Sequence, residues 1–285
     1  MTIRDLPAAK VNVRPGLRSE LAPSALDRWN SEIRAAAKDE EEATISILDP
    51  IGADWFGDGV TAKRVSAALR NIGKKEVTVT INSPGGDYFE GLAIYNLLRE
   101  HPAKVTAKIV GIAASAASVI AMAADEVQIA RAGFLMIHNT WVVAVGDRHA
   151  LRDVAAWLEP FDMTATDIYA SRTGMDEKEI ARMLDRETWI GGADAVEKGF
   201  ADALLSADDI DSKAKNSSES KPLVAAHKID TLLARAGVAK SERRELLSAM
   251  KGGMSGAAPT GMSGAAVLAE VSSLLSEIKS IQTNA

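Results

Sequence analysis

Lys108–Glu126 reads KIVGIAASAASVIAMAADE. Between its charged borders lie sixteen uncharged residues, Ile109 to Ala124, nearly all small or apolar, interrupted by Ser115 and Ser118. A helix that crosses a bilayer needs about 20 apolar residues. This run is shorter and dominated by alanine, so a buried helix fits it better. It is entered from a strand-like stretch, KVTAKIV at Lys104–Val110, which places Ser115 near a strand-to-helix junction. The same alternation continues on both sides. Ala43–Leu48, Glu76–Ile81, Glu126–Ala130 and Phe134–His138 are strand-like, and Thr61–Asn71, Phe89–Glu100, Ser115–Ala124 and Arg148–Ser171 carry helical patterns. Strands alternating with helices of this length predict an α/β fold whose mostly parallel sheet is covered by helices.

Composition narrows the classes of function. The chain has 285 residues, 47% hydrophobic and 25% charged, the balance of a globular protein with a sizeable core. Its net charge of -6 comes from interspersed acids and bases, so neither nucleic acid nor a membrane surface is an expected partner. The start, MTIRDLPAAKVNVRPG, has no apolar signal core, which leads to the expectation of a cytoplasmic protein. With zero cysteines, disulfides, thiol nucleophiles and thiolate metal sites are excluded. The four histidines, His101, His138, His149 and His227, form no HExxH pair, and no metal or cofactor is expected.

Aromatic residues mark a boundary. All thirteen lie at or before Phe200, although 85 residues follow it. Large aromatics supply much of a core's buried area, so the packed domain is expected to span residues 43–206. Residues 1–42 form a polar N-terminal segment, helix-prone in SALDRWNSEIRAAAKDEEE. Residues 207–285 are expected to hold a polar linker, a flexible low-complexity segment with GMSGAA twice, and a C-terminal amphipathic helix. In that last helix Val267, Val271, Leu274, Ile278 and Ile281 would share one seam.

Three stretches could carry chemistry together. In TINSPGGDYFEG a strand ends at Ile81, and Gly85 and Gly86 open a helix. Two glycines in succession let backbone N–H groups approach a ligand beside the positive end of a helix. A plain strand-turn-helix junction would look similar. Ser115 stands at the start of a helix among alanines that leave room for another chain, with the Ala116 N–H beside it; alternatively it is an ordinary N-cap. His138 ends the apolar strand FLMIH, where a histidine is either a base or a hydrogen-bonded structural residue. A serine nucleophile needs a base, the base needs an orienting acid, and the intermediate needs donors at its oxygen. All four parts are available here.

INSPGG, GIAASAAS, MIHN and ETWIGGADAVEKGFAD, in that order, resemble the Clp-type protease proteolytic subunit, a serine peptidase family with a crotonase-like fold. The likeness covers about Ala43 to Leu205. It implies Ser115 as nucleophile, His138 as base, and the backbone N–H groups of Gly86 and Ala116 as oxyanion donors, with Gly85 at the substrate. The family's acid stands two residues before an aromatic, which corresponds to Glu187 before Trp189. This is glutamate where the family has aspartate, and Asp185 is the alternate. Oligomers, rings included, and an AAA+ unfoldase partner come with the same family.

GLAIYNLLREH, the alanine and serine after the nucleophile, ETW, and the low-complexity tail resemble the Clp-like head maturation proteases of tailed phages and prophages. That branch implies homo-oligomers trimming scaffold and capsid proteins, in the host cytoplasm or the procapsid interior. Other readings remain: a housekeeping Clp peptidase fed by an ATP-driven unfoldase, a Ser/Lys peptidase with Lys108 or another lysine as base, a crotonase-type acyl-CoA enzyme, or an inactive scaffold that keeps the fold. Ser115→Ala is expected to be inert but folded, and Ser118→Ala mostly active.

Overall fold

The computed structural model describes residues 21–31, 33–35, 43–52, 59–206 and 210–211, and short pieces between 225 and 248. In chain order the elements are α1 (Pro23–Arg28), β1 (Arg34–Ala35), β2 (Thr44–Ile47), α2 (Ala62–Ile72), β3 (Val77–Ser83), α3 (Tyr88–Arg99), β4 (Val105–Ala114) and α4 (Ala116–Ala121). They continue with β5 (Glu126–Ile129), β6 (Phe134–Ile137), α5 (Arg148–Thr173), α6 (Glu177–Asp185), β7 (Thr188–Gly191), α7 (Gly192–Glu197), β8 (Ala203–Leu204) and β9 (Ile210–Asp211).

The seven-stranded sheet runs β2-β3-β4-β5-β8, and β6 joins β4 to β7. Every pairing in it is parallel except β6 with β7. β3 is buried along its whole length, as a strand covered by helices on both faces must be. β4 is the long central strand. Its first half pairs with β5, Thr106–Ile109 against Glu126–Ile129, and its last residues, Ile112–Ala114, pair with β6. The apolar run Ile109–Ala124 thus divides: its first six residues complete β4, Ala116–Ala121 form α4, and Ser115 stands between them. All six residues of α4 are buried, which explains the alanine: small side chains let the helix lie directly against α3, where Gly91 meets Ala116.

Helix ends follow local chemistry. Asp87 caps α3 by accepting from the N–H groups of Phe89 and Glu90, and Asp147 caps α5 through His149 and Ala150. α5 ends at Gly174, whose left-handed φ of 72° suits glycine. The rings of Phe89, Trp157 and Phe161 lie 4.9 to 5.8 Å apart and tie α3 to α5.

Beyond shifts of two or three residues at element ends, expectation and structure differ in four places. β4 extends through Ala114 instead of stopping at Val110, because β6 continues the pairing beyond the end of β5. α6 and β7 lie in a stretch where the sequence pattern marked no element. In the helix-prone segment after Pro23, α1 ends at Arg28. Trp29 is extended, with φ −72° and ψ 125°, because its indole N–H donates to the Asn82 carbonyl at 2.9 Å. Finally, Ile210–Asp211, in the expected linker, pairs antiparallel with Arg34–Ala35.

The chain divides into two compact units, Met1–Val224 and Ala225–Ala285. In the second, His227, Arg243 and Leu247 are buried and Arg243 pairs with Asp230 at 3.6 Å. The GMSGAA repeats and the seam from Val267 to Ile281 lie outside the described residues. Among the described residues no helix is long and apolar enough to cross a membrane.

Candidate active site

Strand register brings the separate stretches together. Ser83 of β3 lies opposite Ala113 of β4, and Ala114 of β4 lies opposite Met136 of β6. The residues just past these pairs leave the carboxyl ends of three adjacent parallel strands, the place where α/β folds collect ligand-facing groups. They are Gly85 and Gly86, Ser115, and His138. β7 returns antiparallel with Thr188 opposite Ile137. One step further along that register sets Glu187 opposite His138.

Ser115 occupies a sparsely populated backbone region, φ 54° and ψ −125°. Its N–H donates to the Met136 carbonyl at 2.8 Å, which holds the turn between β4 and α4. The side chain makes no capping bond to α4, so the N-cap alternative does not describe it. Instead Ser115 Oγ lies 2.7 Å from His138 Nε2. With the neutral imidazole protonated at Nδ1, the hydroxyl donates this bond, and the same nitrogen can take its proton.

The glycine pair is shaped by close approach. Gly85 has φ 86°, and a Cβ there would stand 2.5 Å from the Ala114 carbonyl oxygen, 2.7 Å from Ser115 Cβ and 3.2 Å from the Ala116 nitrogen. Gly86 has φ 144°, and a Cβ there would be 2.2 Å from the Ile51 carbonyl oxygen. Ile51 fixes the loop by donating to the Gly85 carbonyl at 2.8 Å and accepting from the Asp87 N–H at 2.9 Å. Glycine is required at both positions, since a side chain would collide with backbone at each and at Gly85 would also press on the amide of Ala116, the first residue of α4.

The sequence profile of the Clp protease family matches residues 40–208, more than half of the chain. The chain belongs to the Clp protease family. Similar curated proteins include the ATP-dependent Clp protease proteolytic subunit 2 of Treponema denticola, 33% identical over 130 residues, or 44% of this chain and 64% of that protein. The ATP-dependent Clp protease proteolytic subunit 1 of Chlamydia muridarum is 28% identical over 162 residues, 53% of this chain and 84% of its own. The ATP-dependent Clp protease proteolytic subunit of Deinococcus radiodurans is 29% identical over 136 residues, 46% and 66% of the two chains. The chain thus spans slightly under two-thirds of the Treponema and Deinococcus proteins.

Within this Clp protease domain, burial dominates the electrostatics of the imidazole. It holds the His138 pKa below the ordinary histidine value, and the Glu187 charge opposes it. Glu187 itself has φ 50° and accepts from the Trp189 indole N–H at 3.4 Å, while the Arg28 guanidinium stacks 4.3 Å from the Trp189 ring. Asp185 is engaged elsewhere, accepting from the Asn139 amide at 2.8 Å. Of the two acids, Glu187 is the one whose charge reaches the imidazole.

Ser118 is a buried structural hydroxyl. It lies 2.6 Å from the Ser115 carbonyl oxygen, 3.1 Å from that of Met136 and 2.8 Å from the Tyr169 hydroxyl. With one proton shared between two carbonyls, Ser118 accepts from Tyr169, whose own pKa is raised by complete burial. Lys108 is six residues before Ala114 on β4, about 20 Å along an extended strand, which removes it as a base for Ser115. His101 is structural, its Nε2 2.8 Å from the Lys75 carbonyl oxygen, and His149 lies at the exposed start of α5.

Sequence reading missed Asn139, Thr140 and Asp162. The Thr140 N–H donates to Asp162 of α5 at 2.6 Å. Burial raises the Asp162 pKa, the bonds from Thr140 lower it, and the charges of Asp185 and Glu159 raise it further. No motif marks this aspartate, because its partner lies 22 residues away in the chain.

Proposed function

We propose that this chain is a serine endopeptidase in which Ser115 is the nucleophile, His138 the general base and Glu187 the orienting acid. The observation that carries the reading is the 2.7 Å approach of His138 Nε2 to Ser115 Oγ at a strained turn beside the glycine pair. Ser115 Oγ attacks the scissile carbonyl carbon while its proton passes to His138 Nε2. The carbonyl oxygen, now an anion, is held by the N–H groups of Gly86 and Ala116, with Gly85 against the substrate backbone. Collapse breaks the C–N bond, and the departing amine takes the proton from His138. Water, deprotonated by His138, then hydrolyses the acyl ester and regenerates Ser115. Glu187 stabilises the imidazolium in both halves.

The deciding experiment compares the expressed protein with its Ser115→Ala and His138→Ala forms, by intact-mass spectrometry and by labelling with a fluorophosphonate. Labelling at Ser115 and peptide fragments should occur only in the parent protein. Fragments persisting in the folded Ser115→Ala form, or absence of labelling in the parent, would reject the reading and leave an inactive scaffold.

The finer proposal is maturation of tailed-phage heads, with a homo-oligomer, possible as a ring, cleaving capsid and scaffold proteins in the host cytoplasm or procapsid. It rests on GLAIYNLLREH, on the residues after Ser115 and on ETW. The names of the curated relatives favour a second reading, a housekeeping subunit fed by an AAA+ unfoldase. Cleavage of co-expressed capsid and scaffold proteins without ATP would support the first. An absolute requirement for ATP and an unfoldase would support the second.

A further inference from the structure

His138 is the first residue after β6, and a strand end holds a side chain only as firmly as the residues that follow it. Here those residues are held from two sides. Asn139 Nδ2 donates to Asp185 Oδ1 at 2.8 Å, at the carboxyl end of α6. The Thr140 N–H donates to Asp162 Oδ1 at 2.6 Å, on α5. The two anchors differ in how well they are themselves fixed. Asp185 is exposed, where water competes for its oxygens, while Asp162 is half-buried.

The backbone beneath Asp162 is rigidly placed. Its neighbour Phe161 is buried, with its ring 5.1 Å from that of Phe89 and 4.9 Å from that of Trp157. The Phe161 carbonyl accepts from the buried Tyr88 hydroxyl at 3.1 Å. Tyr88 opens α3, the helix that follows the glycine pair. One aromatic cluster therefore references both the start of α3 and the carboxylate that receives Thr140. The Thr140 amide is in a buried residue, so its bond to Asp162 is not readily replaced by water.

We propose that Asp162 is a positioning residue: by accepting the Thr140 N–H it fixes the chain after His138 and so keeps the imidazole on Ser115. This rests on the reading of His138 as the base. Asp162 forms its hydrogen bond with Thr140 and not with Ser115 or His138, and it acts through the Asn139–Thr140 backbone. What it supplies is an oxygen acceptor, which asparagine can also present, whereas alanine cannot.

The test uses the full chain, with Asp162→Ala and Asp162→Asn compared for hydrolysis of a p-nitrophenyl acyl ester and for the rate of fluorophosphonate labelling. Asp162→Ala should lower kcat and the labelling rate about 10- to 100-fold, the range in which a catalytic group displaced by up to about 1 Å falls. KM should stay near its original value, and Asp162→Asn should recover most of the loss. A folded Asp162→Ala protein with unchanged kcat, a loss confined to KM, or an Asp162→Asn protein as impaired as Asp162→Ala would each overturn the proposal. Where Asp162→Ala does not fold, Asp162→Ser, too short to reach the amide, replaces it with the same outcomes. Ser115→Ala and His138→Ala, run beside them, separate the two levels: activity surviving in those variants defeats the peptidase reading itself, whereas their inactivity beside a fully active Asp162→Ala protein defeats only the positioning role.

Discussion

At His138 two influences act in opposite directions on one imidazole. Burial favours the neutral ring, and the charge of Glu187 favours the protonated one. In the proposed mechanism the neutral ring is the base, so a lowered pKa would keep it competent to more acidic pH. Glu187→Gln removes the opposing charge, and the pKa moves further down. The acid limb of the kcat/KM profile should therefore shift to lower pH, while kcat falls about 100-fold or more for want of imidazolium stabilisation. A pH–rate series on the variant checks both, and a limb displaced to higher pH would contradict the assignment. Ser118 calls for a different measurement. The sequence suggested a dispensable neighbour, but its hydroxyl joins the Ser115 turn, the Met136 carbonyl and Tyr169. Ser118→Ala leaves the Tyr169 hydroxyl buried without that partner, and stability should drop by about 1–3 kcal/mol in denaturant unfolding. Fluorophosphonate labelling of Ser115 should persist in the folded fraction.

Among the elements, the end of β3 does the most connecting. The Asn82 side chain is fully buried, accepts from the Ile112 N–H at 3.1 Å, and donates to the carbonyl oxygens of Asn30 at 2.6 Å and Ile33 at 3.2 Å. It thereby joins β3, β4 and the segment carrying α1. The same segment buries Ala25, Leu26 and Trp29 against Ile112, Ala114 and Met136, the floor beneath Ser115 and His138. Asn82→Ala should lower stability by about 2–4 kcal/mol, since several buried partners lose their bonds together. Limited proteolysis should then cut near residues 21–33, where the parent protein resists. Unchanged stability and unchanged cleavage would show that apolar packing alone holds this segment. At this scale the parallel sheet and its main helices were legible, because β-branched runs and 3.6-residue periodicity are local signals. The extra length of β4 was not, because its last residues form a strand only through pairing with β6.

For the whole molecule, every residue of the candidate site lies in the first compact unit. Gly85, Gly86, Ser115, Ala116, His138, Asp162 and Glu187 all precede Val224. A protein ending at Val224 should therefore keep fluorophosphonate labelling of Ser115 within about twofold of the full chain, the scatter expected of residues outside the site. A loss of labelling beyond tenfold would show that residues 225–285 support the site. The same truncation, tested for incorporation into procapsids, examines whether the tail has a targeting role in head assembly.

What the sequence by itself determined was the class of fold and the candidates Gly85, Gly86, Ser115 and His138 for one cluster. Alanine around Ser115, the apolar approach to His138 and the two glycines are choices that a strand-helix interior imposes on single positions. It also left two matters undecided: whether Ser115 is a cap or a partner of His138, and which of Glu187 and Asp185 acts on the ring's electrostatics. Those answers depend on register, since one residue of slip along β6 or β7 would exchange the neighbours of the imidazole. Register is set by strands that are 51 residues apart in the chain, as the paired Ile137 and Thr188 are, and only the folded sheet brings them into line. The bond from the Thr140 N–H to Asp162 was decided at the same level, because a contact across to α5 leaves no trace in the spacing of residues along the chain.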